Sequence, residues 1–187
     1  MKQVRAPVLL ETRRLRGVAC EPGHLADLQT LHRDADVART LGGVRSDAQI
    51  AMHVRDFWVH WKEAGYGVWM WYDLTDGQFV GRAGLRRVLI EQRWEHELLY
   101  ALMPRFWGQG LATELAQAIA TIAFEQLHFA DLVSFTLPTN QASQRVMQKL
   151  GFRFVGNITY AGFFLVLYRL ASSDYSASSA LLRYSGT

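Results

Sequence analysis

Apolar side chains recur at every third or fourth position through residues 109–128, where Leu111, Leu115, Ile119 and Ile122 fall on one stripe. That spacing predicts a helix with one buried face. A shorter stripe of Leu25, Leu28 and Leu31 predicts another. Ile50, Val54, Phe57, Trp58 and Trp61 mark the inner face of a third, ending near Lys62. Ser46 and Gln49 stand at the separation of a capping box at its start. Strand patterns occupy residues 15–19, 66–72, 79–90, 94–103, 132–137, 153–157 and 163–170, with a short helix at 141–150. Asp76-Gly77 marks a hairpin turn, Gly81 and Gly84 permit a bend or bulge, and Glu91-Gln92-Arg93 turns the chain again. Strands in a meander, then strands alternating with helices, predict an α/β (α+β) domain. Its sheet is mixed and mostly antiparallel, of about seven strands, with helices on both faces. The domain spans residues 1–170, and the serine-rich stretch 171–187 reads as a loose tail.

Arg105-Phe106-Trp107-Gly108-Gln109-Gly110 lies between the strand at 94–103 and the long helix. Glycines at a helix entrance let backbone N–H groups approach a ligand without Cβ interference. The first helical amides lack partners in their own helix, and the macrodipole adds positive charge, so phosphate suits the place. The same six residues also suit an ordinary entrance where glycine only relieves a tight turn. A dinucleotide fingerprint fails because Thr113 occupies its third glycine position and Asp131 precedes its strand, and a P-loop fails for want of Gly-Lys-Ser/Thr.

Further along come Asn140-Gln141-Ala142-Ser143, a short helix and Gly151-Phe152. The order R-x-x-G-x-G, helix, strand, N-x-x-S, helix, G-F resembles the GNAT acyl-CoA-dependent N-acetyltransferases, and within them the branch of ribosomal-protein N-terminal acetyltransferases (RimJ/RimL type). Trp107-Gly108-Gln109-Gly110-Leu111-Ala112-Thr113-Glu114 is close to that branch's pyrophosphate loop, and residues 143–152 are close to its second signature. The resemblance covers about residues 11–170. It implies acetyl-CoA as acyl donor, no metal, and a sheet whose fourth and fifth strands splay apart to admit the acyl chain. It implies that the amides of Gly108, Gln109, Gly110, Leu111 and Ala112 hold the pyrophosphate, with Arg105 adding charge. A backbone N–H near Leu102 or Met103 would receive the developing oxyanion. Asn140 would contact the pantetheine arm or cap its helix, and Arg145 and Lys149 would reach the adenosine 3′-phosphate or form a solvated face.

The remaining composition changes this picture little. The net charge of +3 is a mild bias toward anionic ligands, with a local cluster at Arg13, Arg14 and Arg16. No long basic run supports nucleic-acid binding, although that cluster could dock on a ribosome or RNA. The single Cys20 excludes a disulfide framework and reads as a core residue, and no histidine pair has metal-ligand spacing. No leader or apolar run of membrane-spanning length is evident, so cytoplasmic residence without membrane association is expected. Homodimerisation stays open.

Amine attack on a thioester needs a neutral amine, an oxyanion donor and sometimes a proton for the leaving sulfur. A lysine amine is neutral roughly once in 2,500 molecules at pH 7, an α-amine about once in ten, so the base required depends on the acceptor. Glu97 is the candidate base, in Glu97-Leu98-Leu99-Tyr100, which resembles the family's E-I-G-Y stretch with Leu99 in place of glycine. Alternation sets Glu97, Leu99 and Ala101 opposite Leu98, Tyr100 and Leu102. The alternative for Glu97 is a solvated edge carboxylate. Many relatives carry a tyrosine four residues before the G-F pair, where this chain has Met147, which donates no proton. Ser143 is the candidate to protonate or orient the sulfur. Trp58, Trp61, Trp69, Trp71 and Trp94 either line a substrate cleft or pack the core. The acceptor reads as a protein N-terminus or a small amine. A second reading is a non-catalytic acyl-CoA-binding sensor, with an intact loop but no working acid and base.

Overall fold

The computed structural model describes residues 4–176 and the backbone of 183–185. Its centre is one sheet in the order β7-β8-β6-β5-β4-β3-β2-β1-β9, antiparallel throughout except between β5 and β6. The strands are β1 (Leu9–Glu11), β2 (Leu15–Ala19), β3 (Val68–Asp73), β4 (Phe79–Ile90), β5 (Arg93–Leu102), β6 (Asp131–Thr136), β7 (Arg153–Tyr160), β8 (Phe163–Ala171) and β9 (Arg183–Ser185). The seven expected strands are all present. The two additional ones, β1 and β9, are three residues each, too short to display an alternation, and they pair with each other.

Helices α1 (Leu25–Arg33), α2 (Ala35–Thr40) and α3 (Asp47–Ala64) cover one face, where Leu28, Leu31, Ile50, Val54 and Phe57 pack with Val68, Met70, Leu99 and Ala101. Helices α4 (Leu111–Thr121) and α5 (Gln141–Lys149) cover the other, where Leu115, Ile119 and Met147 meet Trp69, Trp71, Leu98 and Leu102. β3 is therefore buried on both faces over residues 68–71, which is why that stretch is continuously apolar. The Trp71 ring lies flat on Gly17, where an added Cβ would sit 3.0 Å from ring carbons, and its Nε1 donates to Ala83 O at 3.1 Å.

The capping box of α3 forms as expected: Ser46 Oγ accepts from Gln49 N, and Gln49 Oε1 accepts from Ser46 N at 2.8 Å. Trp58 departs from its expected inward face and is 37% exposed. The long helix is α-helical only to Thr121 and continues as a π-helical turn, Ile122–Gln126. The register of β4 against β3 slips between Trp71 and Tyr72, a bulge beside Gly81. A Cβ at Gly81 would lie 2.2 Å from Ala101 O, so only glycine permits this approach to β5.

Part of the expected loose tail is built in. Ala171 ends β8, Ser172–Asp174 forms a 3-10 turn, and the Tyr175 hydroxyl sits 2.8 Å from Thr121 Oγ1. The rest of the tail, 177–182 and 186–187, lies outside the described residues. The arginine cluster is largely neutralised: Arg14 pairs with Glu114 and Arg16 with Glu11, leaving Arg13 exposed. Cys20 is buried, and burial pushes its thiol up to about 12, as a core residue requires. No helix among the described residues is long and apolar enough to cross a membrane.

Candidate active site

β5 and β6 touch at a single rung, Glu97 opposite Val133. Below it the strands are clamped by the Arg169 guanidinium, which donates to both oxygens of Glu95 (3.1 and 2.7 Å) and to Asp131 Oδ1 at 2.6 Å. Asp131 thus serves the sheet, in keeping with the failed dinucleotide fingerprint. Above the rung the strands part, as the resemblance implied. The Met103 amide donates to Val80 O at 2.8 Å, on the β4 side. Successive amides alternate along a strand, so the Leu102 N–H turns into the gap. The Leu102 carbonyl, facing the same way, accepts from Trp107 Nε1 at 2.8 Å. Of the two proposed oxyanion donors, Met103 is therefore engaged elsewhere, and Leu102 remains.

A cavity of 660 Å³ fills the gap and reaches from the start of α4 to α3. Its floor at one end is the glycine loop. Gly108 and Gly110 both take left-handed φ, 74° and 76°. Gly110 caps α4 without a side chain, and the first helical bond is Glu114 N to Gly110 O at 3.1 Å. The amides of Leu111, Ala112 and Thr113 precede that bond and have no helical acceptor. The loop is braced from β2's approach. Glu114 accepts from Thr12 Oγ1 (2.6 Å), Arg14 N (3.0 Å) and Arg14 Nε (2.7 Å), and Arg14 Nη1 donates to Gln109 O at 3.0 Å. Burial alone would raise the Glu114 carboxyl, but these hydrogen bonds hold it below its ordinary value. Arg14 also cancels a carboxylate that would otherwise oppose an anion at the loop.

The sequence-predicted residues divide clearly. Glu97, Leu102, Gly108, Gly110, Leu111, Ala112, Asn140, Ser143, Arg145 and Lys149 all line this cavity. Arg105 does not. It is exposed, donates from Nη2 to Phe79 O at 3.1 Å and lies over the Phe106 ring. The Gln109 side chain donates to Arg105 O at 2.8 Å, whereas the role expected of this residue is its amide's. Asn140 caps α5, its Oδ1 accepting from Ser143 N at 3.1 Å, while it also faces the cavity.

The faces of β5 carry different chemistry. Toward α4 and α5, the Tyr100 hydroxyl lies 3.0 Å from Ser143 Oγ, a partner that sequence reasoning missed. Alternation had put Tyr100 on this face, but nothing local paired it with a residue 43 positions away. Burial pushes the phenol up to about 12, so it keeps its proton at neutral pH. Met147 is sealed in the core cluster against which Tyr100 packs and does not line the cavity. Toward α3, Glu97 stands opposite Arg86 of β4 and accepts from its Nε at 2.5 Å. Only 4% exposed, Glu97 is no solvated edge carboxylate. Trp61, Trp69 and Trp71 belong to the core, and Trp94 is stacked beneath Arg87 away from the gap. The tryptophan that reaches the cavity is Trp107.

Comparison with known proteins agrees with this fold. A family model described as an acetyltransferase (GNAT) domain matches residues 14–153. An uncharacterised Bacillus subtilis (strain 168) protein, YkkB, is 33% identical over 129 residues, covering 66% of this chain and 72% of its own. FsC-acetyl coenzyme A-N(2)-transacetylase of Aspergillus fumigatus is 29% identical over 161 residues, covering 81% of this chain and 68% of its own. The solved structure of RimL, a ribosomal L7/L12 α-N-protein acetyltransferase, in complex with coenzyme A shares the fold with a TM-score of 0.71 at 19% identity, over 88% of this chain and 96% of that one.

Proposed function

The chain belongs to the GNAT acetyltransferase family, and from that premise we propose that it transfers acetyl directly from acetyl-CoA to a primary amine, on a protein N-terminus or a small molecule. The observation that carries this reading is that one cavity gathers the unbonded amides of α4, the gap-facing amide of Leu102, and the Glu97 carboxylate and Tyr100 phenol on opposite faces of β5. The residues fit acetyl-CoA. The Leu111 and Ala112 amides suit its pyrophosphate. Arg145 and Lys149, one turn apart on α5, suit its remaining phosphate. Asn140 and the open edge of β5 suit its amide-bearing arm. When bound, acetyl-CoA supplies an activated acyl group as a thioester.

The chain's own groups supply the rest. The Leu102 N–H donates to the oxygen on which charge develops; a preorganised donor of this kind is worth about 3–4 kcal/mol. Glu97, held in place by Arg86, accepts the acceptor's proton directly or through a water. Tyr100, oriented by Ser143, gives a proton to the departing sulfur; phenol at neutral pH has one to give, unlike Met147. Ser143 acts as a positioning residue.

Free-thiol release from acetyl-CoA across an amine panel tests the reaction. Glu97→Gln and Tyr100→Phe should each lower turnover by about tenfold or more with CoA affinity unchanged. Turnover equal to wild type in either variant removes that residue from the mechanism, and no thiol release with any amine would favour a CoA-binding sensor. Arg14→Ala should act differently. Removing the cation leaves the Glu114 carboxylate facing the pyrophosphate, so the KM for acetyl-CoA should rise by about threefold to tenfold with kcat little changed. An unaltered KM would mean that the brace does not tune the loop.

A further inference from the structure

The half of the cavity under α3 holds more positive charge than the proposed transfer requires. β4 presents Arg82 and Arg86 on one face, opposite Ala101 and Glu97 of β5. Arg45 closes the space from the approach to α3, and His53 and Phe57 hang from α3 itself. Three guanidiniums therefore face a single carboxylate, and Glu97 is taken by Arg86. Arg82 is 7% exposed, lines the cavity, and its buried Nε and Nη1 have no hydrogen-bond acceptor among the described residues. Its guanidinium carbon lies 5.7 Å from the centre of the Phe57 ring, and Arg86, Glu97 and Arg45 are its charged neighbours. Arg45 Nε is likewise buried without an acceptor. Other groups nearby offer no compensation. The Cys20 thiol is protonated, and the Asp27 carboxylate receives the Tyr72 hydroxyl at 2.5 Å. His53 and His32 are driven down to about 4 and about 3, first by burial and then by these arginines, so both are neutral and add no charge.

An unpaired buried guanidinium is costly, and its planar fork matches a carboxylate. We infer that Arg82 and Arg45 form a carboxylate-binding subsite in the acceptor half of the cavity, so that the preferred acceptor is an amine that also carries a carboxylate. This rests on the acetyl-transfer reading and narrows its substrate class. The carboxylate anchors one end of the acceptor on Arg82, leaving the amine to lie toward Glu97. The bulk of Leu99 between them on β5 sets the separation of the two groups.

Two measurements on the full chain test this separately. In the first, succinate and inorganic phosphate are titrated while thermal unfolding is followed, with chloride as the ionic-strength control. Succinate should raise Tm of the wild type and leave Arg82→Met unmoved; phosphate acting as well or better would replace the carboxylate with a phosphate group. Because Arg82→Met removes an unpaired buried charge, the variant itself should unfold no lower than the wild type without ligand. A response to succinate equal in both proteins overturns the subsite. In the second, thiol release is compared for pairs of amines identical except for carboxylate against carboxamide. The wild type should prefer the acid by about tenfold or more in kcat/KM, and Arg82→Met should erase that preference while binding CoA as before. Equal rates for acid and amide overturn the inference and leave acetyl transfer standing. If no amine releases thiol, the enzyme reading fails while the succinate titration still decides the subsite. Loss of CoA affinity in Arg82→Met would assign the arginine to the donor and overturn the proposal.

Discussion

A Gly110→Val variant should keep its fold and lose affinity for CoA by about tenfold or more, measured by calorimetry with the unacylated coenzyme. Gly110 holds φ at 76°, a conformation that a β-branched residue adopts only under strain. Space is not the obstacle, since the nearest atom to an added Cβ is Arg14 Nη2 at 3.8 Å. The loop will instead relax to negative φ and swing the Leu111 and Ala112 amides off their common point. Those amides gain from acting together, so the loss is larger than one hydrogen bond. The helix behind them stays, because Leu115, Ile119 and Ile122 are fully buried and the entrance contributes little to that packing. Affinity within twofold of wild type would show that the loop is only a turn and would remove the basis for acetyl-CoA at this position.

Trp71→Ala should cost about 3–5 kcal/mol of stability, read as a lower denaturation midpoint at unchanged m. For a chain of this length that corresponds to a Tm lower by about 6–20 °C. The indole is fully buried between Gly17 and the α4 side of the sheet, and its removal also takes away its hydrogen bond to Ala83 O. The residual cavity cannot collapse easily, because the backbone around it is a central sheet paired on both sides. A loss under about 1 kcal/mol would mean that the packing at Gly17 is loose.

What could be read in advance followed from how local each signal was. The capping box at Ser46, the stripe of α4 and the strand at 79–90 depend on residues a few positions apart, and they emerged with near-correct limits. The gap between β5 and β6 came from resemblance, since divergence of two strands has no period. Trp58 misled because an aromatic on the edge of a helical stripe can face either way, and here it is covered on one side by Lys62. Arg82 was invisible for a different reason. A charged residue within a strand ordinarily signals a solvent face, and only the pairing of β4 with β5 under α3 reveals that this face is interior. Tyr100 and Ser143 needed α5 folded over β5 before they could meet.

The clamp of Arg169 on Glu95 and Asp131, with the lone rung just above it, leaves the molecule an edge in the middle of its own sheet. Edges elsewhere invite association with other chains. This one is flanked by helices and lies along the cavity, so its largely vacant hydrogen-bonding row is available to a guest narrow enough to thread between two leaves. Ligand capture then amounts to finishing an incomplete weave, with the coenzyme's arm as a borrowed strand. Amide exchange should register it: protons at Tyr100 and Leu102 escape readily in the free protein and become slow when the weave is closed.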